Sequence, residues 1–305
     1  MNKEKKLLRI FITIVLVIAL VILPLLSIAT YESVFGRRYD SDPGYTVDSF
    51  PGLYSTGYDI TSDKGQIIKG YHYYRDDVTP KGVVIMAHGI GGGHKNYLDL
   101  ADHLILNGYT VFSYDATGND ESEGGSMKGL SQGLIDLDNV ISFVEGLPEF
   151  SGLPILLFGH SWGGYCVSAV LQYHPEVAAV CEVSGFNKTT DLFRSTGLNM
   201  VGPVIYAMMP YVTLYDHLKF GDIASNTAMD GFAASDCRVM IVHSADDDTV
   251  PIRYGYDIFY EEYKDDPRFT FVRYEDLGHN GFLYEENRDE FHKVVVFFDE
   301  ALGDA

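Results

Sequence analysis

The chain has 305 residues, 46% of them apolar and 13% aromatic, a composition that supports a large buried core and argues against intrinsic disorder. It carries 43 acidic against 22 basic residues, a net charge of −21 that repels polyanions, so nucleic-acid binding and a polybasic grip on anionic lipid are not expected. Cys166, Cys181 and Cys237 stand in no metal-ligand or C-x-x-C spacing, and the first two, in apolar contexts, read as small core residues.

Lys3, Lys5, Lys6 and Arg9 precede an apolar run from Ile10 to Ala29. As a helix, about 20 residues span a ~30 Å hydrocarbon core, and the run has no polar stripe of the kind a buried soluble helix shows. It is read as a membrane-targeting segment with two possible fates. Ser27, Ile28 and Ala29 form a small-x-small site after Pro24, as in a cleaved signal peptide, but the run exceeds the usual ~7–15 residues of such peptides. The expectation is therefore an uncleaved single-pass anchor with a cytoplasmic N-terminus and an extracytoplasmic domain, since only Arg37 and Arg38 follow closely; secretion after cleavage is the alternative. Residues 1–30 are assigned to this segment, 31–56 to a linker that packs in part against the domain, and 57–305 to the domain itself.

Two alternating runs, Tyr58 to Thr61 and Ile67 to Tyr74, flank the turn residues Asp63, Lys64 and Gly65 and predict an antiparallel hairpin. Beyond Pro80, continuous apolar runs alternate with helix-length amphipathic segments. Val83 to Ala87, Thr110 to Tyr114, Ile155 to Phe158, Val177 to Val183, Val239 to Val242 and Phe269 to Tyr274 lack polar alternation, as strands buried on both faces do. The predicted fold is α/β, a mostly parallel central sheet with helices on both faces. The alternation lapses at about residues 186–236, a stretch containing Tyr206, Met208, Met209 and Tyr211, which is read as a lid inserted over the strand ends.

Gly159-His160-Ser161-Trp162-Gly163 follows the Ile155 to Phe158 strand and precedes a helix, the context in which G-x-S-x-G forms a tight turn that lifts a serine hydroxyl above a sheet. A serine needs a base, itself oriented by an acid. His279, in a glycine-flanked loop after the last strand, is the candidate base, whereas His88, His160, His243 and His292 read as structural. The acid is sought in Asp246-Asp247-Asp248-Thr249-Val250-Pro251; Asp247 is chosen on the Asp-x-x-Val-Pro spacing, with Asp246 as the alternative. Oxyanion donors are expected from the backbone N–H groups of Trp162 and of Ile90, the latter in the turn His88-Gly89-Ile90-Gly91-Gly92-Gly93. That turn fails the dinucleotide pattern because His94 replaces the third glycine. The scattered histidines and the lack of H-E-x-x-H or a cysteine cluster imply neither metal nor organic cofactor.

These motifs resemble the α/β-hydrolase superfamily, and within it the branch of monoacylglycerol lipases, lysophospholipases and serine aminopeptidases. The resemblance rests on His88-Gly89, on Gly159 to Gly163, on Asp247 and His279, and on Asp115 to Gly124, where Ala116-Thr117-Gly118-Asn119 replaces the more usual Arg-Gly-His-Gly. It covers Gly57 to the C-terminus and implies two-step acyl transfer. The apolar, aromatic lid and the N-terminal segment favour a small-molecule ester with a hydrocarbon chain, such as a monoacylglycerol. Two other readings stay open: an exopeptidase using Asp191, Asp216, Asp222 or Asp230 to hold a substrate amine, and an inactive hydrolase-fold binding module.

Overall fold

In the computed structural model, which describes residues 3–303, one helical stretch runs from Lys3 to Phe35. It comprises α1 (Lys3–Val17), a π-helical turn (Ile18–Ile22) and α2 (Leu23–Phe35). The π turn falls just before Pro24, whose missing N–H leaves a preceding carbonyl without its usual partner. Helix α1 contributes no buried residue, whereas α2 buries Ser27, Thr30, Tyr31 and Phe35 against the body.

This corrects the expected localisation as a single-pass anchored membrane protein. The segment satisfies length and apolarity alone, criteria that an N-terminal signal sequence meets equally. A cleaved signal segment is the reading favoured in its place.

The eight-stranded sheet has the order β1-β2-β4-β3-β5-β6-β7-β8. Strands β1 (Tyr54–Thr61) and β2 (Ile67–Tyr74) form the antiparallel hairpin, and β2 lies antiparallel to β4 (Thr110–Asp115). The remaining pairs, through β3 (Val83–Ala87), β5 (Ile155–His160), β6 (Ala179–Val183), β7 (Arg238–Ser244) and β8 (Phe269–Tyr274), are parallel. Every residue of β3, β4 and β6 is buried, because helices cover both faces of the sheet.

Alternate residues of one strand feed two cores. Val83, Ile85 and Ala87 join the layer of α4 (Leu130–Glu145), α5 (Trp162–Ala169), α8 (Ala228–Ala234) and α9 (Tyr256–Tyr263). Val84 and Met86 face α3 (Leu98–Leu106) and α10 (Arg288–Leu302). The insertion between β6 and β7 is helical: α6 (Thr189–Val201), α7 (Ile205–Phe220) and then α8. Parallel strands bring the ends of β3, β5 and β7 to one edge, and the lid helices belong to the connection that leaves β6 at that edge.

Candidate active site

Ser161 ends the turn from β5 into α5 with φ 57° and ψ −115°, a conformation that costs an ordinary side chain on the order of 1–3 kcal/mol. The flanking glycines make the turn possible. A Cβ on Gly159 would lie 2.3 Å from the carbonyl oxygen of Gly163, and one on Gly163 would lie 2.0 Å from that of Ala87. The Ser161 N–H is anchored to the Val183 carbonyl at 2.8 Å. The side chain therefore stands above the sheet at the start of α5, where the first N–H groups have no intrahelical acceptor.

The Ser161 hydroxyl donates to His279 Nε2 at 2.9 Å, and His279 Nδ1 donates to Asp247 Oδ2 at 2.7 Å. The tautomer is assigned from these partners. Asp247 Oδ1 accepts from the backbone N–H groups of Thr249 (2.9 Å) and Val250 (2.8 Å). Burial pushes the Asp247 carboxyl upward, but hydrogen bonds from His243 and His279 outweigh it and hold the pKa well below the usual carboxylate range.

Asp246 does a different job. Its exposed carboxylate accepts from Ser244 Oγ (2.6 Å) and from the Gly278 N–H (2.8 Å), tying the β7 loop to the loop that carries His279. Gly278 itself has φ 57°, so the glycine suits the loop that returns His279 to the sheet edge.

Three residues that read as structural or went unmarked in the sequence lie directly behind these groups. The Gly89 N–H donates to Tyr97 Oη (3.1 Å), the Tyr97 hydroxyl reaches His160 Nδ1 (3.0 Å), and His160 Nε2 donates to the His279 carbonyl (3.1 Å). Burial, with the neighbouring His279, lowers the His160 pKa to about 3, so the ring stays neutral. His243 Nε2 donates to the Val250 carbonyl (2.9 Å) and lies 3.2 Å from Asp247 Oδ2. Tyr97 read only as the start of a helical segment running to Leu106, and His243 as a strand-end residue, positions that many purely structural residues share.

Ser161, His279 and Ile90 open onto a cavity of about 710 Å³. Its lining is mostly apolar, with Phe35, Leu192, Phe193 and Met200 among its side chains, and it also includes the carboxyl-bearing residues Asp99 and Glu285. The four carboxylates expected for a substrate amine lie elsewhere: Asp191 pairs with Arg194, Asp216 with Tyr31, Asp230 caps α8, and Asp222 sits in the turn after α7. Ile90 belongs to the turn closed by the Gly92 N–H on the Gly89 carbonyl (3.1 Å), and Trp162 is the first residue of α5. Glu145, His174 and Glu176 offer three ligand atoms within 4.8 Å of one another, but His174 is already bonded to Asp138 and Glu176.

A family model described as serine aminopeptidase, S33, matches residues 78–243. The chain is 29% identical over 166 residues to monoglyceride lipase of Saccharomyces cerevisiae, covering 51% of this chain and 52% of that protein. It is 26% identical over 292 residues to the uncharacterized protein YqkD of Bacillus subtilis, covering 90% and 89% of the two chains. The chain thus spans about half the length of the lipase it matches. Among solved structures, the Pyrococcus furiosus esterase Pf2001 shares the fold with a TM-score of 0.68 at 15% identity, over 87% of this chain and 100% of that one. The family match extends over more than half of the chain, from the strand before the glycine turn to the strand before Asp247, and the chain therefore belongs to the serine aminopeptidase S33 family of the α/β-hydrolase superfamily, close to its lipases and esterases.

Proposed function

We propose that this protein hydrolyses carboxylic esters of hydrocarbon-chain acids through an acyl-enzyme. The reading is carried by the hydrogen-bonded series Ser161, His279 and Asp247 opening onto a cavity of about 710 Å³ with a mostly apolar lining. Ser161 Oγ attacks the ester carbonyl carbon while His279 Nε2 takes its proton, and Asp247 stabilises the imidazolium. The N–H groups of Ile90 and Trp162 receive the oxyanion, each donor contributing about 3 kcal/mol to the transition state. The C–O bond breaks, the alcohol leaves with the proton from His279, and water repeats the cycle to release the acid. The matched monoglyceride lipases support a glycerol monoester as one member of the substrate class.

The deciding experiment is fluorophosphonate labelling and p-nitrophenyl ester turnover of wild type against Ser161→Ala. Loss of both in the variant supports the reading. Absence of both in folded wild type would sink it and leave a hydrolase-fold binding module.

A second reading, cleavage at the amino end of a peptide, is favoured by the family's description and by Asp99 and Glu285 in the cavity lining, since an amine needs a carboxylate beside the site. Asp99 already bonds Arg288, so Glu285 is the better placed of the two. Amino-acid p-nitroanilides cleaved faster than acyl esters, with the rate reduced about tenfold or more in Glu285→Gln, would select this reading.

A further inference from the structure

The last turns of α2 and the segment that follows them toward the first strand are built into the cavity. Thr30, Val34, Phe35 and Tyr45 line it, across from Leu192 and Phe193 of the lid helix α6. On one side the segment is tied to lid helix α7: Tyr31 Oη donates to Asp216 Oδ1 (2.5 Å), and Glu32 Oε1 accepts from Lys219 Nζ (2.7 Å) and Tyr215 Oη (2.8 Å). Tyr31 and Phe35 both pack on Phe193, with ring centroids 5.7 and 6.1 Å away.

On the other side it is tied to the loop after β4. The Tyr39 N–H donates to the Gly118 carbonyl (3.0 Å), the Asp120 N–H donates to the Tyr39 carbonyl (2.9 Å), and Arg38 Nη1 donates to the carbonyls of Ser122 (2.8 Å) and Gly124 (2.9 Å). Ser41 Oγ adds a bond to Asp120 Oδ2 at 2.6 Å. A flexible linker would leave these groups to water. Here both ends are pinned and the stretch between them presents Val34 and Phe35 to the cavity.

We propose that residues 30–45 are a strap forming one wall of an acyl-chain subsite, so that the strap and the lid together set how long a hydrocarbon chain the site accepts. The inference rests on the acyl-transfer reading above and deepens it. The ligand class is a saturated or unsaturated hydrocarbon tail, because the strap offers aliphatic and aromatic surface with no free charge at the wall. The strap begins directly after Ser27-Ile28-Ala29, so cleavage at that site leaves it whole.

The test uses the full chain with Val34→Trp, which fills the wall, and Leu218→Ala, an exposed lid residue outside the cavity lining, as control. The readout is the ratio of labelling rates with a decyl and an ethyl fluorophosphonate, each variant first shown to melt cooperatively. The wall predicts that Val34→Trp lowers the decyl-to-ethyl ratio more than about fivefold, as steric change in an apolar pocket does. A smaller change, or an equal change in Leu218→Ala, overturns it. Should Val34→Trp not fold, Val34→Phe is read by the same threshold. If no probe labels wild type, the acyl-transfer reading fails separately. The dissociation constant of decanoate, measured by calorimetry, then decides the wall by the same fivefold criterion, and decanoate that does not bind wild type overturns it.

Discussion

His243 Nε2 lies 3.2 Å from Asp247 Oδ2, the same oxygen that accepts from His279 Nδ1 at 2.7 Å. Asp247 is therefore clasped between two imidazoles, with both side chains of the His243–Asp247 pair wholly buried. Next to them stands Glu182 on β6, also buried; among the described residues its two oxygens and His243 Nδ1 have no hydrogen-bond partner. Glu182 pairs with Ile241 in the β6–β7 register, so it shares a sheet face with His243 two residues on.

Asp247 and Asp246 separate cleanly by their partners. Asp247→Asn removes the acceptor that fixes the His279 tautomer and is expected to lower kcat by about 10⁴-fold. Asp246→Asn disturbs the clamp formed with Ser244 Oγ and the Gly278 N–H and is expected to cost less than about tenfold. Equal losses in steady-state ester hydrolysis would contradict the assignment. Because the Asp247 pKa is depressed in the fold, the stability it contributes is fully present above about pH 4 and fades as the pH falls further.

Glu182 works in the opposite sense. Burial, partly offset by His243, raises its pKa from 4.5 to about 7. Between those values the folded protein holds a proton that the unfolded chain has released, so stability falls as the pH rises through this window. Glu182→Gln removes the dependence. Denaturant unfolding should show the variant gaining on wild type by on the order of 2–3 kcal/mol at pH 8 relative to pH 4.5. A constant difference across that range would show that Glu182 does not titrate there.

The elbow has no room for a methyl group. Gly163→Ala places a Cβ 2.0 Å from the Ala87 carbonyl oxygen and is expected to cost more than about 3 kcal/mol or prevent folding. Gly125→Ala, with open space around the new carbon, should stay within about 0.5 kcal/mol. Thermal melts of the two proteins side by side test the geometry of the turn.

Tyr31 holds the lid. Tyr31→Phe leaves the buried Asp216 carboxyl, among the described residues, with a single 3.5 Å hydrogen bond, from Ser131 Oγ. Burial already raises the Asp216 pKa, and loss of the phenol takes away the hydrogen bond that opposes it. We expect a loss of about 1–3 kcal/mol in urea unfolding, whereas Tyr54→Phe, on the exposed outer strand, should be neutral.

The strand runs, the hairpin, the elbow at Ser161 and the inserted lid were legible from residue order, because each is governed by local physics. Buried parallel strands drop the polar alternation, tight turns demand glycine, and a long connection interrupts a βα repeat. Asp247, chosen over Asp246 on spacing, is the carboxylate bonded to His279. The N-terminal run was legible as apolar and long, but those properties do not distinguish an anchor from a signal segment.

What residue order left open was decided by contacts between positions far apart in the chain. Tyr97 meets His160 across 63 residues, and Tyr31 meets Asp216 across 185. His243 looked like an ordinary strand-end histidine until the β7 loop folded Asp247 back onto it. The stretch from residue 31 to 56 read as a linker because glycine, proline and aspartate are turn formers, yet its first residues, including Tyr31 and Phe35, belong to α2 and are buried. Its burial against the lid is set by surfaces that exist only once the sheet, α6 and α7 have assembled.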